Sequence, residues 1–196
     1  MFVSGRTADE DKQFGQIWGC PVNSIEIESC RSLPPREDLD TILAQYYALI
    51  VQRMRDIGFD IDPAAPESAL AEFWANADEY LPPKGCLVIA RRGTGQIVGC
   101  GMMKRLDEHT GELKRVFVIE DARGTGTGRA LIEARETAAR SMGLKRLVAD
   151  TLTPNVEMRD LYPKLGFTKL DEPIETTTYK DRPMLRPHLH YFSKKL

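Results

Sequence analysis

The chain has 196 residues, 42% of them hydrophobic, which suits one core and one domain rather than two. A formal net charge of −2 and a pI near 6.0 lack the clustered positive charge on which nucleic-acid binding rests. The first residues carry no long apolar core of a signal peptide and no run approaches membrane-spanning length, so a cytoplasmic protein without nucleic-acid or membrane partners is expected.

Residues 1–22 show no sustained period and read as an N-terminal arm, leaving 23–196 as a single domain. Ser24–Ser29 alternates polar and apolar, so Ile25 and Ile27 should face a core from a first strand. Over 36–57 the apolar residues Leu39, Ile42, Leu43, Tyr46, Tyr47, Ile50, Met54 and Ile57 recur at helical spacing, and Gly58 stops the run. A second helix is predicted from Pro66 to about Tyr80, burying Leu70, Phe73, Trp74 and Ala77, with Pro82-Pro83 beyond it. Asp60, Asp62, Glu67, Glu72, Asp78 and Glu79 crowd this region without a Lys or Arg, which suggests a cationic acceptor.

Cys86–Arg91 and Gln96–Met103 read as strands joined at Gly93-Thr-Gly95, and His109-Thr-Gly111 turns the chain into a third strand over 112–118. A glycine-rich loop follows, then a helix from near Arg129 with Leu131, Ala134, Ala138 and Met142 on one face. Leu144–Thr151 can return as a parallel neighbour of the 112–118 strand. Thr153-Pro154 opens a last helix, with Asn155 in its first turn and Met158, Leu161 and Leu165 inward. Phe167–Leu170 and His188–Ser193 should pair as closing strands across a long loop, Asp171–Pro187, of the kind that shapes an acceptor site.

Cys20, Cys30, Cys86 and Cys100 match neither a metal knuckle nor a redox motif, so reduced thiols are expected. His188 and His190 would share a strand face, but no His-Glu-x-x-His helix accompanies them and no metal is expected.

The loop Arg123-Gly124-Thr125-Gly126-Thr127-Gly128-Arg129 can expose consecutive backbone N–H groups at a helix start, which fits phosphate. A nucleotide P-loop would end in Gly-Lys-Ser/Thr, whereas Arg129-Ala130 follows the last glycine here. A dinucleotide fingerprint needs Gly-x-Gly-x-x-Gly, and although Asp150 lies at a suitable distance downstream, the glycine spacing differs. What remains is Arg-x-x-Gly-x-Gly after the strand Glu-Leu-Lys-Arg-x-x-Val, followed by Asn155-x-x-Met158-x-x-Leu161-Tyr162-x-Lys164-x-Gly166-Phe167. Together these resemble the two signatures of the GNAT N-acetyltransferases over about residues 86–170.

The resemblance implies an α/β fold with a mixed, largely antiparallel sheet flanked by helices on both faces. It implies acetyl-CoA as co-substrate, its pyrophosphate on the N–H groups of Arg123, Gly124, Thr125, Gly126, Thr127, Gly128 and Arg129. The pantetheine arm would follow Val116, Phe117 and Val118 beside Asn155, and the Val116 N–H would polarise the acetyl carbonyl. Glu112 falls where one branch of the family has its general base, and Tyr162 where many members have the general acid. The implied reaction is direct attack of a primary amine, a small molecule in the first instance. Acetylation of a protein lysine or N-terminus is the alternative if the site is an open trench, and a non-catalytic acyl-CoA-binding module is the other. A homodimer is left open. Two departures stand out: Met158 replaces a common alanine, and Pro163 removes a helical N–H at a cost of roughly 3 kcal/mol, disfavouring helical geometry at Tyr162.

Overall fold

The structure, a computed structural model, describes residues 24–196; the arm expected at 1–22 lies outside them. Seven strands form one sheet in the order β1-β2-β3-β4-β5-β7-β6. They are β1 (Ile25–Cys30), β2 (Gly85–Arg92), β3 (Ile97–Arg105), β4 (Thr110–Val118), β5 (Arg146–Leu152), β6 (Thr168–Leu170) and β7 (Leu189–Lys195). Only β4 and β5 run parallel, because α3 (Thr127–Ser141) carries the chain across between them. The remaining neighbours are antiparallel, and several join through short turns. In the β3–β4 turn the Asp107 carboxylate accepts from the N–H groups of His109 and Thr110, at 2.7 and 2.8 Å.

The two faces take different helices. Side chains added at Gly99 and Gly101 would run into Leu131 and Arg135 of α3, whereas Phe117 packs its ring 6.2 Å from that of Tyr46 on α1 (Arg36–Asp56). Between lies the main core, including Leu87, Ile89, Met102, Met103, Leu131 and Ile132. The second predicted helix is α2 (Ala65–Ala75) plus a separate 3-10 turn, Ala77–Tyr80. α4 (Val156–Lys164) follows β5.

The sheet is interrupted at one place. Parallel pairing of β4 with β5 stops after Thr110–Arg146, Gly111–Leu147 and Glu112–Val148, so among the described residues no strand lies beside that edge of β4 from Leu113 onward. On the other edge the register with β3 steps from Cys100–Phe117 to Met102–Lys114, so Gly101 opposes both Arg115 and Val116. That is a β-bulge, and it turns Arg115 to φ 48°. A non-glycine residue there costs about 1–3 kcal/mol and persists only when its surroundings hold it. They do: Arg115 Nε donates to the Tyr47 hydroxyl at 2.9 Å and Nη1 to that of Tyr80, with the guanidinium carbon 5.0 Å from the Tyr80 ring centre.

Arg135 completes the bulge from the α3 side. It is wholly buried; Nη1 donates to the carbonyls of Met102 (3.0 Å) and Lys114 (3.2 Å), the pair flanking the irregularity, and Nε to the Leu131 carbonyl. The Arg115 carbonyl meets the Cys100 thiol at 3.5 Å. These contacts satisfy backbone acceptors that the bulge has taken out of the ladder.

Sequence periodicity placed the buried stripe of α3 on Leu131, Ala134, Ala138 and Met142; the buried residues are Thr127, Leu131, Ile132, Arg135 and Ala139, the others being partly exposed. The long loop 171–187 also holds structure. α5 (Thr177–Asp181), capped by the Thr176 hydroxyl, and a 3-10 turn, Pro183–His188, lie in it. His188 therefore precedes the strand and packs its ring on Phe59 at 5.4 Å instead of sharing a strand face with His190.

A methyl group at Gly101 would sit 2.8 Å from Arg135 Nε and 2.9 Å from Cζ. Gly101→Ala should therefore displace the guanidinium and destabilise the fold by about 1–3 kcal/mol. Urea unfolding should show a lower midpoint at unchanged slope; an unaltered midpoint would mean that Arg135 is free to move.

Candidate active site

Where β4 and β5 part, two adjoining hollows open. The larger, about 540 Å³, runs from the glycine loop along β4 between α1 and α4; Val116, Phe117, Val118, Arg123, Gly124, Gly126, Gly128, Arg129 and Asn155 all line it. The smaller, about 90 Å³, lies deeper in the wedge between the strands and is reached by Lys114, Asp150, Tyr162 and Thr178. Tyr46, Val116, Asn155 and Met158 border both.

At the wide end, Gly126 at φ 87° is the N-cap of α3; the space around it is open, but that backbone conformation strains any residue with a β-carbon. The helix starts at Thr127, two residues before the predicted Arg129, so its free N–H groups and dipole point into the groove. Thr125 and Thr127 do not line it. Their hydroxyls meet at 2.7 Å, and that of Thr125 also donates to the Ala122 carbonyl, which fixes the loop from behind. Arg123 spends its Nε on the Val118 carbonyl at 3.0 Å. From α1, Arg53 reaches across the groove to Asn155 Oδ1 at 2.7 Å and to the Glu157 carboxylate on α4. Asn155 is the N-cap residue rather than a first-turn residue; its amide donates to the Thr151 hydroxyl at 3.0 Å and does not cap the helix.

Glu112 and Tyr162 are separated by the structure. Glu112 is fully buried and lines neither hollow. The Thr177 N–H donates to both its oxygens at 3.1 Å, the Thr177 hydroxyl to one, and the Lys114 ammonium to the other at 3.0 Å. Tyr162 is 3% exposed, with its ring 5.1 Å from Phe167 and 5.0 Å from Phe192, and it borders the smaller hollow. Pro163 lies in the last turn of α4, where its missing N–H deprives only the Arg159 carbonyl, and the Tyr162 carbonyl accepts from Leu165 and Phe167 instead. Burial raises the Tyr162 pKa, so the phenol stays protonated near neutral pH.

Sequence reasoning gave no site role to Lys114 or Thr178 and met Asp150 only as a dinucleotide-type acid, yet the smaller hollow gathers all three. Asp150 accepts from the Thr176 hydroxyl and, at 3.2 Å, from that of Thr178; the Thr178 oxygen accepts from Lys114 at 2.9 Å. Burial pushes the Asp150 carboxyl above the ordinary carboxylate value, against Lys114 and the threonines, which favour its charge. For Lys114 burial opposes the charge, but Glu112 and Asp150 outweigh it and raise its pKa. The acidic residues of 60–79 do not converge here: none lines a hollow, and Glu72, Asp78 and Glu79 pair with Arg182, Lys84 and Lys104.

Among the described residues no group of His, Cys, Asp or Glu is arranged to hold a metal ion, and no helix is long and apolar enough to cross a membrane. Cys30, Cys86 and Cys100 are buried free thiols; Cys20 lies outside the described residues.

Residues 48–167 match the model of the Acetyltransferase (GNAT) family, more than half of the chain, and the protein belongs to that family. It is 42% identical over 81 residues to an IAA acetyltransferase of Azospirillum brasilense, a match spanning 41% of this chain and 52% of that protein. With a mycothiol acetyltransferase of Actinosynnema mirum it shares 33% identity over 99 residues, 50% of this chain and 31% of that one. The chain thus spans about half or less of the length of these two relatives. In fold it resembles the PaiA N-acetyltransferase of Thermoplasma acidophilum in complex with coenzyme A (TM-score 0.65, 16% identity, 88% of this chain and 99% of that one). A GNAT family acetyltransferase of Elizabethkingia anophelis with acetyl-CoA bound is similar as well (TM-score 0.56, 20% identity, 88% and 98%).

Gly126→Val would force a β-branched residue to φ 87° at the helix start. The strain should unseat the loop and weaken acetyl-CoA binding about tenfold, the equivalent of 1.4 kcal/mol. Titration calorimetry, with circular dichroism to confirm the fold, checks it; unchanged affinity would remove the loop from the cofactor site.

Proposed function

We propose that the protein transfers an acetyl group from acetyl-CoA to a primary amine by direct attack. The observation that carries this is the wall the two hollows share: the groove from the α3 N-terminus and the smaller hollow are both bordered by Val116, on the β4 edge that has lost its strand partner. A pyrophosphate held at Arg123–Arg129 would leave the pantetheine to lie along Val116–Val118 and the thioester at the junction. The unpaired β4 edge would supply the N–H that polarises the acetyl carbonyl. Tyr162 then stands ready, as a protonated phenol, to give its proton to the departing thiolate. Among the described residues no cysteine or serine lines either hollow, which supports direct attack over an acyl-enzyme.

A small acceptor fits best. Residues 171–187 close over the wedge: Thr178 reaches into the smaller hollow, Arg182 pairs with Glu72 of α2 at 3.0 Å, and Leu185 and Tyr179 join Ile50 and Met54 of α1 in a second apolar cluster. That roof argues against an open trench for a protein chain. The lost convergence of the acidic stretch also removes the basis for a specifically cationic acceptor.

Acetyl-CoA at 100 times its dissociation constant should stabilise the protein by about 2.7 kcal/mol, seen as a raised melting temperature that NAD does not reproduce. No shift with any CoA species would sink the proposal. Tyr162→Phe should keep that shift while lowering kcat roughly 10²-fold in an amine screen that reads free thiol. Near-normal turnover with chemistry rate-limiting would leave the tyrosine as packing only.

A further inference from the structure

We infer that the Asp150 carboxylate, and not that of Glu112, takes the proton from the acceptor amine; this rests on the N-acetyltransferase reading above. The two carboxylates flank one ammonium, that of Lys114, yet their surroundings differ. Glu112 is 0% exposed, its oxygens are occupied by Thr177 and Lys114, and it lines neither of the two hollows. Asp150 is only half-buried, lines the same small hollow as Tyr162, and receives just one hydroxyl on each oxygen, which leaves lone pairs for a further donor.

The position follows from the fold. Val148 still pairs with Glu112, but two residues further along β5 the strands have separated, so Asp150 borders the gap and not a neighbouring strand. On its other side it pairs with Tyr191 of β7. The Lys114–Thr178–Asp150 relay of hydrogen bonds orients the carboxylate without consuming it as a direct ion pair. Burial, which raises its pKa, makes it a better proton acceptor than an exposed aspartate.

The proton count closes as follows. Asp150 removes one proton from the ammonium form of the acceptor and releases it to solvent. The amine lone pair forms the N–C bond to the thioester carbonyl, the C–S bond breaks with its electron pair on sulfur, and Tyr162 protonates that thiolate. The second N–H proton of the attacking nitrogen restores Tyr162.

The base form is lost as pH falls through the raised Asp150 pKa, so the acid limb of kcat should report this group. The charged and titratable groups facing it are Lys114 and Glu112 of β4, Tyr46 of α1, Tyr162 of α4 and Tyr191 of β7. The hydroxyls of Thr176 and Thr178 face it from the α5 segment.

The test compares Asp150→Asn, Glu112→Gln and Thr178→Val with the wild type, using the best amine from the screen. Asp150→Asn should retain the acetyl-CoA melting shift, lose at least about 10²-fold in kcat at neutral pH, and recover roughly tenfold per pH unit as the free amine accumulates. A merely structural role would give no such recovery. Should that variant misfold, Thr178→Val decides: loss of a donor to the carboxylate should move the acid limb to higher pH. A limb unmoved in Thr178→Val, or near-normal kcat in Asp150→Asn, overturns the proposal, as does a pH-recoverable loss confined to Glu112→Gln. A wild type that binds acetyl-CoA yet acetylates no amine overturns the proposed function itself.

Discussion

Much of the molecule follows from the separation of two parallel strands after three paired residues. A parallel sheet in a protein interior normally satisfies both edges of every strand, because an unmet N–H or C=O away from water costs as much as a lost hydrogen bond. Here β4 gives up one edge beyond Glu112 and is bulged on the other, with Arg115 in a left-handed conformation. Such an arrangement survives only if other groups hold it. Arg135 does so from α3, and Arg115 does so through Tyr47 of α1 and Tyr80 of the 3-10 turn after α2.

Burying Arg135 without a carboxylate partner is costly, and its Nη2 has no partner among the described residues. Burial lowers its pKa, yet the group starts so high that it stays charged. A methionine could fill the space beside Gly101 but carries no donor for the Met102 and Lys114 carbonyls that Nη1 bridges. The positive charge also suits the carbonyl-rich side of the bulge, leaving the opposite edge free for a ligand.

Most of the sheet was legible in the sequence, since alternation in 24–29 and the glycine turns at 93–95 and 109–111 are local signals that each strand carries alone. The glycine loop was legible too, because its spacing excludes competing phosphate loops. Arg135 was not: a charged residue in an amphipathic helix reads as solvent-facing, and only the bulge on another element gives it a reason to be buried. α5 is five residues long inside a Thr- and Pro-bearing stretch, too short to show a period. The roles of Glu112 and Asp150 depend on where β4 and β5 part, a matter of long-range register that neither strand encodes by itself.

The chain keeps its two apolar clusters apart. The main one lies between the sheet and α1 to α4, whereas Leu152, Leu185, Leu189 and Tyr191 gather a smaller one with Ile174 and Tyr179 under the closing segment. Substitutions at distant, separately packed sites change stability nearly additively. Residues 171–187 straddle this division, because Leu185 and Tyr179 pack in the smaller cluster while Thr176, Thr177 and Thr178 bond the carboxylates of Asp150 and Glu112. A change in that segment is thus felt at the two carboxylates, whereas the strained strand and its buried arginine, packed within the main cluster, are insulated from it.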